Sequence, residues 1–261
     1  MDSVEAFRAT DAAVAVVGAG GKKTTMYALA ERTDRSVVTA TVRIPIFDDN
    51  VARVETTSDP VSTVANATSD AFPLGVVPER EREDRYRGYD PGVVDELIAA
   101  HDGSTFIKAD GARLRDLKAP NEREPQIPSG VDVVVPIASA SVVGEPLDDA
   151  LVHRPERVVR VAREADVDAA VGEPITPEIV GAVLASPDGG LKGIPEGATV
   201  IPLVNKVDDD ERAETARAIA AAFTRRIDEH AGDGGPVDGI DVPHVVLARM
   251  LDATIVETVA V

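Results

Sequence analysis

Short strand-like runs recur along this chain, and the first, Ala13–Val17, is apolar without alternation. They stand at Ala13–Val17, Ser36–Thr41, Thr105–Ile107, Val131–Ile137, Thr199–Val204, Val242–Leu247 and Thr254–Val259. Runs of this kind suit strands buried on both faces, as in a parallel sheet. Helical patterns fall between them. Thr24–Arg32 puts Met26, Leu29 and Ala30 on one side, and Pro91 opens a turn that carries Val93, Val94, Leu97 and Ile98 to His101. Further helices are expected at 155–165, at 176–186 and from Asp208 to His230, with a glycine-rich loop over Gly232–Pro236. Between 42 and 100 the pattern weakens. Val61–Ala65 opens a helix, Pro73–Pro78 is a short extended piece, and acids and arginines alternate over Glu79–Arg87 as on a solvated helix face or loop. The pattern predicts one α/β domain over residues 1–261, a mainly parallel sheet flanked by helices, with 42–100 as an inserted subdomain.

Composition sharpens this picture. Hydrophobic residues make up 44% and charged residues 28%, so the chain can bury a core. No apolar run approaches the length of a membrane span, and the acidic start Met1-Asp2-Ser3-Val4-Glu5 is unlike an export signal, so a cytoplasmic location is expected. The absence of cysteine excludes disulfides, zinc–thiolate sites, iron–sulfur clusters and thiol nucleophiles. Twenty-seven basic residues against 46 acidic ones give a net charge of −19, which argues against nucleic acid as a partner. The imbalance is specific, with 6 Lys against 21 Arg and 27 Asp against 19 Glu. An Asp-rich, Lys-poor surface is what a high-salt cytoplasm selects, because screening there removes self-repulsion. Neither pattern nor charge sets an oligomeric state.

The chemistry begins at Gly18-Ala-Gly-Gly-Lys22-Lys23-Thr24-Thr25, between a buried strand and a helix. Gly18, Gly20 and Gly21 would let backbone N–H groups converge on phosphate, with the helix N-terminus adding positive potential. Lys22 would reach the outer phosphates, with Lys23, Thr24 and Thr25 beside them, and a Ser or Thr hydroxyl just after the lysine would bind Mg²⁺. The full G-x-x-x-x-G-K-[ST] pattern is not met. With Lys22 as the loop lysine, Val16 stands where glycine is wanted and Lys23 where Ser or Thr is wanted, so Thr24 would supply the hydroxyl one residue late. Two lysines at a helix start are opposed by the helix dipole, and an anionic ligand is the natural compensation.

Asp110 follows the Thr105–Ile107 strand, in Lys108-Ala109-Asp110-Gly111-Ala112-Arg113. An acid at the C-terminal end of a parallel strand can face a ligand or hold Mg²⁺; an Asp-Gly turn is the alternative. Arg113 and Lys118 could meet phosphate charge. Asn205-Lys206-Val207-Asp208 follows another strand. In GTPases N-K-x-D reads guanine, the carboxylate accepting from the base; the acids 208–211 also suit a helix N-cap, and both can hold.

These motifs together resemble the YqeC family, described as selenium-dependent hydroxylase accessory proteins. That family carries G-A-G-G-K-T after its first strand, a Thr-rich run after its second, then E-A-D-G-S-R, P-L-K-A-P, H-E-P-V-I-P, H-R-P and N-K-x-D. This chain matches at Gly18–Lys22, Ala109-Asp110-Gly111, Arg113, Leu117–Pro120, Glu124-Pro125, His153-Arg154-Pro155 and Asn205–Asp208, so the likeness runs from about 13 to 210. It departs at Lys23, Ala40, Lys108 and Arg123, where the family has Thr, Thr, Glu and His. The resemblance implies a P-loop-like protein that binds a nucleoside triphosphate (GTP or ATP) with Mg²⁺ and serves in maturation of a molybdenum hydroxylase, the enzyme or its cofactor being the partner. Asp110, Glu124 and Lys22 are the residues expected to act on the nucleotide, and Thr24 and Asp110 to hold the metal. The loop is also similar to that of Mur ligases, which leaves open a nucleotide-dependent ligase or transferase. A non-catalytic nucleotide-bound chaperone or scaffold stands beside it, favoured by Lys23 and Lys108.

Overall fold

The computed structural model describes residues 1–230 and 239–261; the expected loop Gly232–Pro236 lies outside them. In chain order the elements are α1 (Ser3–Ala6), β1 (Ala13–Gly18), α2 (Lys22–Ala30), β2 (Val37–Ala40), β3 (Ile44–Pro45), β4 (Arg53–Thr56), α3 (Pro60–Ala65), β5 (Leu74–Val77), β6 (Arg85–Tyr86) and α4 (Pro91–Ala100). They continue with β7 (Thr105–Lys108), β8 (Leu117–Lys118), β9 (Val133–Ser139), β10 (Val152–His153), α5 (Pro155–Glu164), α6 (Pro177–Ala185), β11 (Thr199–Val200), β12 (Leu203–Asn205), α7 (Asp210–His230), β13 (His244–Arg249) and β14 (Thr254–Ala260).

The main sheet runs in the order β14-β13-β12-β9-β1-β7-β2-β5-β4, with β11 also on β9. Every pair in it is parallel except β13–β14. The fold is thus α/β, with a mostly parallel sheet flanked by helices, consistent with a P-loop NTPase-like arrangement. Alternation along β1 shows why its run is apolar throughout. Val14 and Val16 pack with Met26 and Leu29 of α2 on one face, while Ala13, Ala15 and Val17 pack with Val94 and Leu97 of α4 on the other. A third cluster lies between α5, α6 and α7 and the sheet, joining Val204, Val245 and Leu247 to Val180, Ile219 and Phe223.

Residues 42–100 add β4 and β5 to the edge of this same sheet, while β3 and β6 form a separate antiparallel pair. The charged stretch 79–87 contains β6 and no helix, and ties back through Arg43–Glu81 and Arg87–Glu79. Three boundaries differ from the sequence pattern. Helix α2 begins at Lys22, so both lysines are its first residues. The run Thr199–Val204 breaks into β11 and β12 before and after Ile201-Pro202, since proline has no N–H for the ladder. Helix α7 starts at Asp210, and Asp209, not Asp208, caps it by accepting from the Arg212 amide at 2.8 Å. No helix among the described residues is long and apolar enough to cross a membrane.

Register fixes where the chemistry sits. Val16 aligns with Lys108, Gly18 with Ile137, and Asn205 with Ser139. The carboxyl ends of β1, β7, β9 and β12 therefore lie side by side, the usual place for a ligand in an open α/β sheet.

Candidate functional site

The glycine loop leaves β1 at Gly18 and enters α2 at Lys22. Gly18 (φ +86°) lies so close to β9 that a Cβ would stand 2.3 Å from the Ile137 carbonyl oxygen. Gly21 (φ +127°) is as tightly held, its Cβ position being 2.2 Å from the Asn205 amide nitrogen. Neither backbone state nor space admits a side chain at these positions.

The loop divides into two halves. The amides of Gly18, Ala19 and Gly20 are spent within the protein, donating to Asp110 Oδ2 (2.8 Å), Ile137 O (2.8 Å) and Arg115 O (3.0 Å). They are not free for phosphate, contrary to the expectation for Gly18 and Gly20. The amides of Gly21, Lys22, Lys23 and Thr24 have no acceptor among the described residues, as a helix start leaves them. The amides left to meet an anion are therefore those of Gly21–Thr24. Thr25 is buried and donates its hydroxyl to Gly21 O at 3.1 Å, so it is committed to the helix. Thr24 and Lys23 are half-buried and make no side-chain hydrogen bond or ion pair among the described residues.

Lys22 does not reach outward. It is 6% exposed, its ammonium donates to Gly18 O, and it lies 2.9 Å from Asp110 Oδ1. Asp110, 1% exposed, pairs on its other side with Lys118 at 2.9 Å. Lys118 continues to Glu124 at 3.1 Å, and Glu124 to Arg154 at 2.7 Å. The result is a chain of alternating charges, Lys22–Asp110–Lys118–Glu124–Arg154, running across the carboxyl edge of the sheet. Beside it Lys108, also buried, donates among the described residues only to the carbonyls of Arg43 (2.9 Å) and Asp110 (2.6 Å). Four cations thus face two carboxylates, inside a protein whose net charge is −19.

The titration behaviour follows from this packing. Burial alone would raise the Asp110 carboxyl, but Lys22 and Lys118 outweigh it and hold it below the ordinary range. Glu124 behaves likewise, burial opposing Lys118 and Arg154, with a lowered result. Burial pushes Lys22 down, against the attraction of Asp110. Burial, with the nearby Lys22 charge, brings Lys108 down to about 7. Both acids expected to act on a nucleotide are therefore ion-paired and poor proton acceptors. Asp110 also fits a magnesium ion badly. Its oxygens already face two ammonium groups and the Gly18 amide, and a dication there would add to a cationic excess. No group of three or more His, Asp or Glu among the described residues is arranged to hold a metal.

The N-K-V-D residues split in role. Asn205 is buried and braces the loop, its Nδ2 donating to Gly20 O at 2.7 Å while its Oδ1 accepts from the Met250 amide at 3.0 Å. Lys206, at φ +62°, pairs with Asp116 at 2.6 Å. Asp208 is exposed and makes no hydrogen bond or ion pair among the described residues. Arg113, expected at the phosphates, is exposed and left-handed, at φ +49°. Behind the loop a cavity of about 20 Å³, lined by Gly18, Asp110, Lys118 and apolar side chains, has room for a water at most. A larger ligand would lie outside, over Gly21–Thr24.

Sequence reading did not single out Lys108, Arg154 or Asp116 as site residues. Lys108 carried a signal, being one of six lysines and two residues before Asp110 at a strand end. Arg154 sits in the His-Arg-Pro motif; Asp116 had none.

A curated relative from Escherichia coli (strain K12), described as "Uncharacterized protein YqeC", is 25% identical over 210 residues, covering 77% of this chain and 78% of the relative. A family model described as "YqeC protein" matches residues 14–156, which hold the glycine loop, the buried charge chain and the His-Arg-Pro motif. On that match, across more than half its length, the chain belongs to the YqeC family.

Proposed function

We propose that this protein binds a nucleoside triphosphate over the start of α2 and acts as an accessory factor in maturation of a molybdenum hydroxylase, including selenium-dependent ones. The observation that carries the nucleotide reading is the half-loop Gly21–Thr24. Its four unbonded amides, with Lys23 beside them, form the positive end of a helix in a strongly acidic protein. Lys22, the first residue of α2, is held by Asp110. An arriving phosphate would compete with that carboxylate for its ammonium. Guanine is the base favoured, because the exposed Asp208 carboxylate makes no hydrogen bond or ion pair among the described residues and follows β12 on the same edge of the sheet, while Asn205 holds the loop. The maturation role comes from the family resemblance alone.

Turnover is expected to be slow. Asp110 and Glu124 are tied to lysines and arginine and are weak bases. The same fact supports a second reading, a nucleotide-bound scaffold that hands on a cofactor without hydrolysis. Titration calorimetry with ATP, GTP and CTP, each with and without Mg²⁺ in molar KCl, tests the proposal. GTP should bind most tightly, and Lys23→Ala and Lys22→Ala should each weaken it. Equal, negligible heat for all three nucleotides, or unchanged affinity in both variants, would refute the site.

A further inference from the structure

The sheet has two end strands, and they differ in how they meet water. At one end β4 is four residues long and carries Arg53 and Glu55, which pair with each other. Short, charged end strands of this kind resist addition of a further strand. At the other end β14 runs for seven residues and pairs, among the described residues, only with β13. It holds no proline, glycine or lysine, and five of its seven residues are β-branched. Its one charge, Glu257, pairs with Arg217 of α7 at 2.7 Å, so it lies over a face of the sheet and leaves the free edge open. The pairing with β13 skips Val256, which bulges between the pairs Leu247–Glu257 and Ala248–Ile255. The bulge explains why Ile255 packs in the cluster of α1 residues Ala6 and Phe7, while Val259 packs with Ile219 and Phe223 of α7. Beyond the bulge the Val261 amide donates to Pro243 O. In an antiparallel ladder such residues alternate with those that point away, so the backbone groups of Thr258 and Ala260 point out from the sheet. Beside them a shallow groove separates α7 from the strand end, lined by Ala221, Thr224, Arg225, Asp228, Val259 and Ala260. The Thr224 hydroxyl is buried without a hydrogen-bond partner among the described residues.

We propose that β14 pairs in antiparallel fashion with β14 of a second copy of this chain, joining two sheets into one across a two-fold axis. Two arguments favour a second copy as the occupant. The strand is complementary to itself. With Thr258 on the axis, each Thr258 meets the other and each Glu257 meets a Val259, so no carboxylate stands opposite its own copy. Charge points the same way. In a chain of net charge −19, a face that meets itself must keep like charges apart. The only acid of β14 is already neutralised by Arg217, and along the groove Arg225 precedes Asp228 and Glu229. Reversal of direction at the axis turns the basic end of one groove toward the acidic end of the other. The same reversal makes the carboxyl edges of the two sheets open in opposite directions. The pairing is therefore independent of the nucleotide reading.

Sedimentation equilibrium on the full chain in molar KCl, across a wide concentration range, tests the pairing. The parent should reach twice the chain mass. Thr258→Lys sets two ammonium groups face to face at the axis and should raise the dimer dissociation constant about tenfold or more, with an unchanged circular dichroism spectrum. The absence of cysteine allows a second measurement that weakens nothing. Cα atoms paired across such strands lie about 5.5 Å apart, within disulfide reach. Thr258→Cys should therefore link into a dimer on mild oxidation, while Glu31→Cys, exposed at the end of α2, should not. A parent that stays monomeric leaves the edge to a strand of another protein and overturns self-pairing. So does a dimer that Thr258→Lys leaves as tight as before, a Thr258→Cys chain that does not link, or oxidation that links Glu31→Cys as readily. Should Thr258→Lys fail to fold, the oxidation experiment decides alone.

Discussion

Two populations of ion pairs coexist in this protein, and they obey different physics. Arg160–Glu164 on α5 and Arg249–Asp252 at the end of β13 are solvent-exposed pairs at 2.8 and 2.7 Å. The chain from Lys22 to Arg154 has similar distances, but Lys22, Asp110 and Lys118 have side chains 6% exposed or less. Exposed pairs gain little over hydrated ions and are screened by salt. Buried ones have little contact with water, so the opposite charge and a few backbone groups must compensate them. A short distance is thus no guide to importance. In a protein with a net charge of −19, the surface charges set solubility, while the buried chain sets the shape and potential of the candidate site.

The largest expected effect comes from breaking the buried chain. Asp110→Ala leaves the buried Lys22 ammonium without its carboxylate, Lys118 with Glu124 as its remaining one, and the Gly18 amide without its acceptor. Urea unfolding should show a loss of about 3–5 kcal/mol. A loss below about 1 kcal/mol would mean that the lysines find water and that the network is not closed.

Proton linkage separates the populations further. Asp110 and Glu124 have folded values below their unfolded ones, so their contribution is full above the ordinary carboxylate range and disappears as pH falls through the depressed values. Lys108 acts in the other direction. Its folded value, about 7, lies below the ordinary lysine value of about 10.4. Between those limits the unfolded chain keeps a proton that the folded chain has lost, so stability should rise with pH, at most by about 1.4 kcal/mol per unit. Lys108→Met should flatten that slope, read from urea midpoints at pH 7 to 10; a slope identical to the parent's would assign it to other groups.

Salt gives a third test. Molar KCl should raise the melting temperature of the parent by screening its charge of −19, while the deficit of Asp110→Ala should persist, since the buried pairs are poorly screened. Equal melting at low and molar salt would remove the case for salt adaptation. The smallest effect is expected from Arg160→Ala, about 0.5 kcal/mol or less and vanishing at high salt, checked by the same unfolding curves.

Much of the fold was legible because both faces of the sheet are covered. Val14, Val16 and their alternating partners are all apolar, so β1, β7 and β9 announce themselves as uninterrupted runs. The β4 strand did not, since its residues are only half-buried or exposed at the sheet edge and carry Arg53 and Glu55 among them. The loop glycines were legible for a local reason, as strand, glycine turn and helix are contiguous.

What lies across the chain was not legible in the same way. Sequence by itself determined the alternation of strands and helices, the place of the glycine turn, the acidic surface and the motifs that mark the family, because these depend on neighbouring residues and on composition. Only tertiary structure decided that Lys22 turns inward to Asp110, that Asn205 braces Gly20 from 185 positions away, and that His153 and Arg154 stand beside Lys118. Those outcomes depend on strand register, and on which charges burial leaves without water, and neither is written in any one segment.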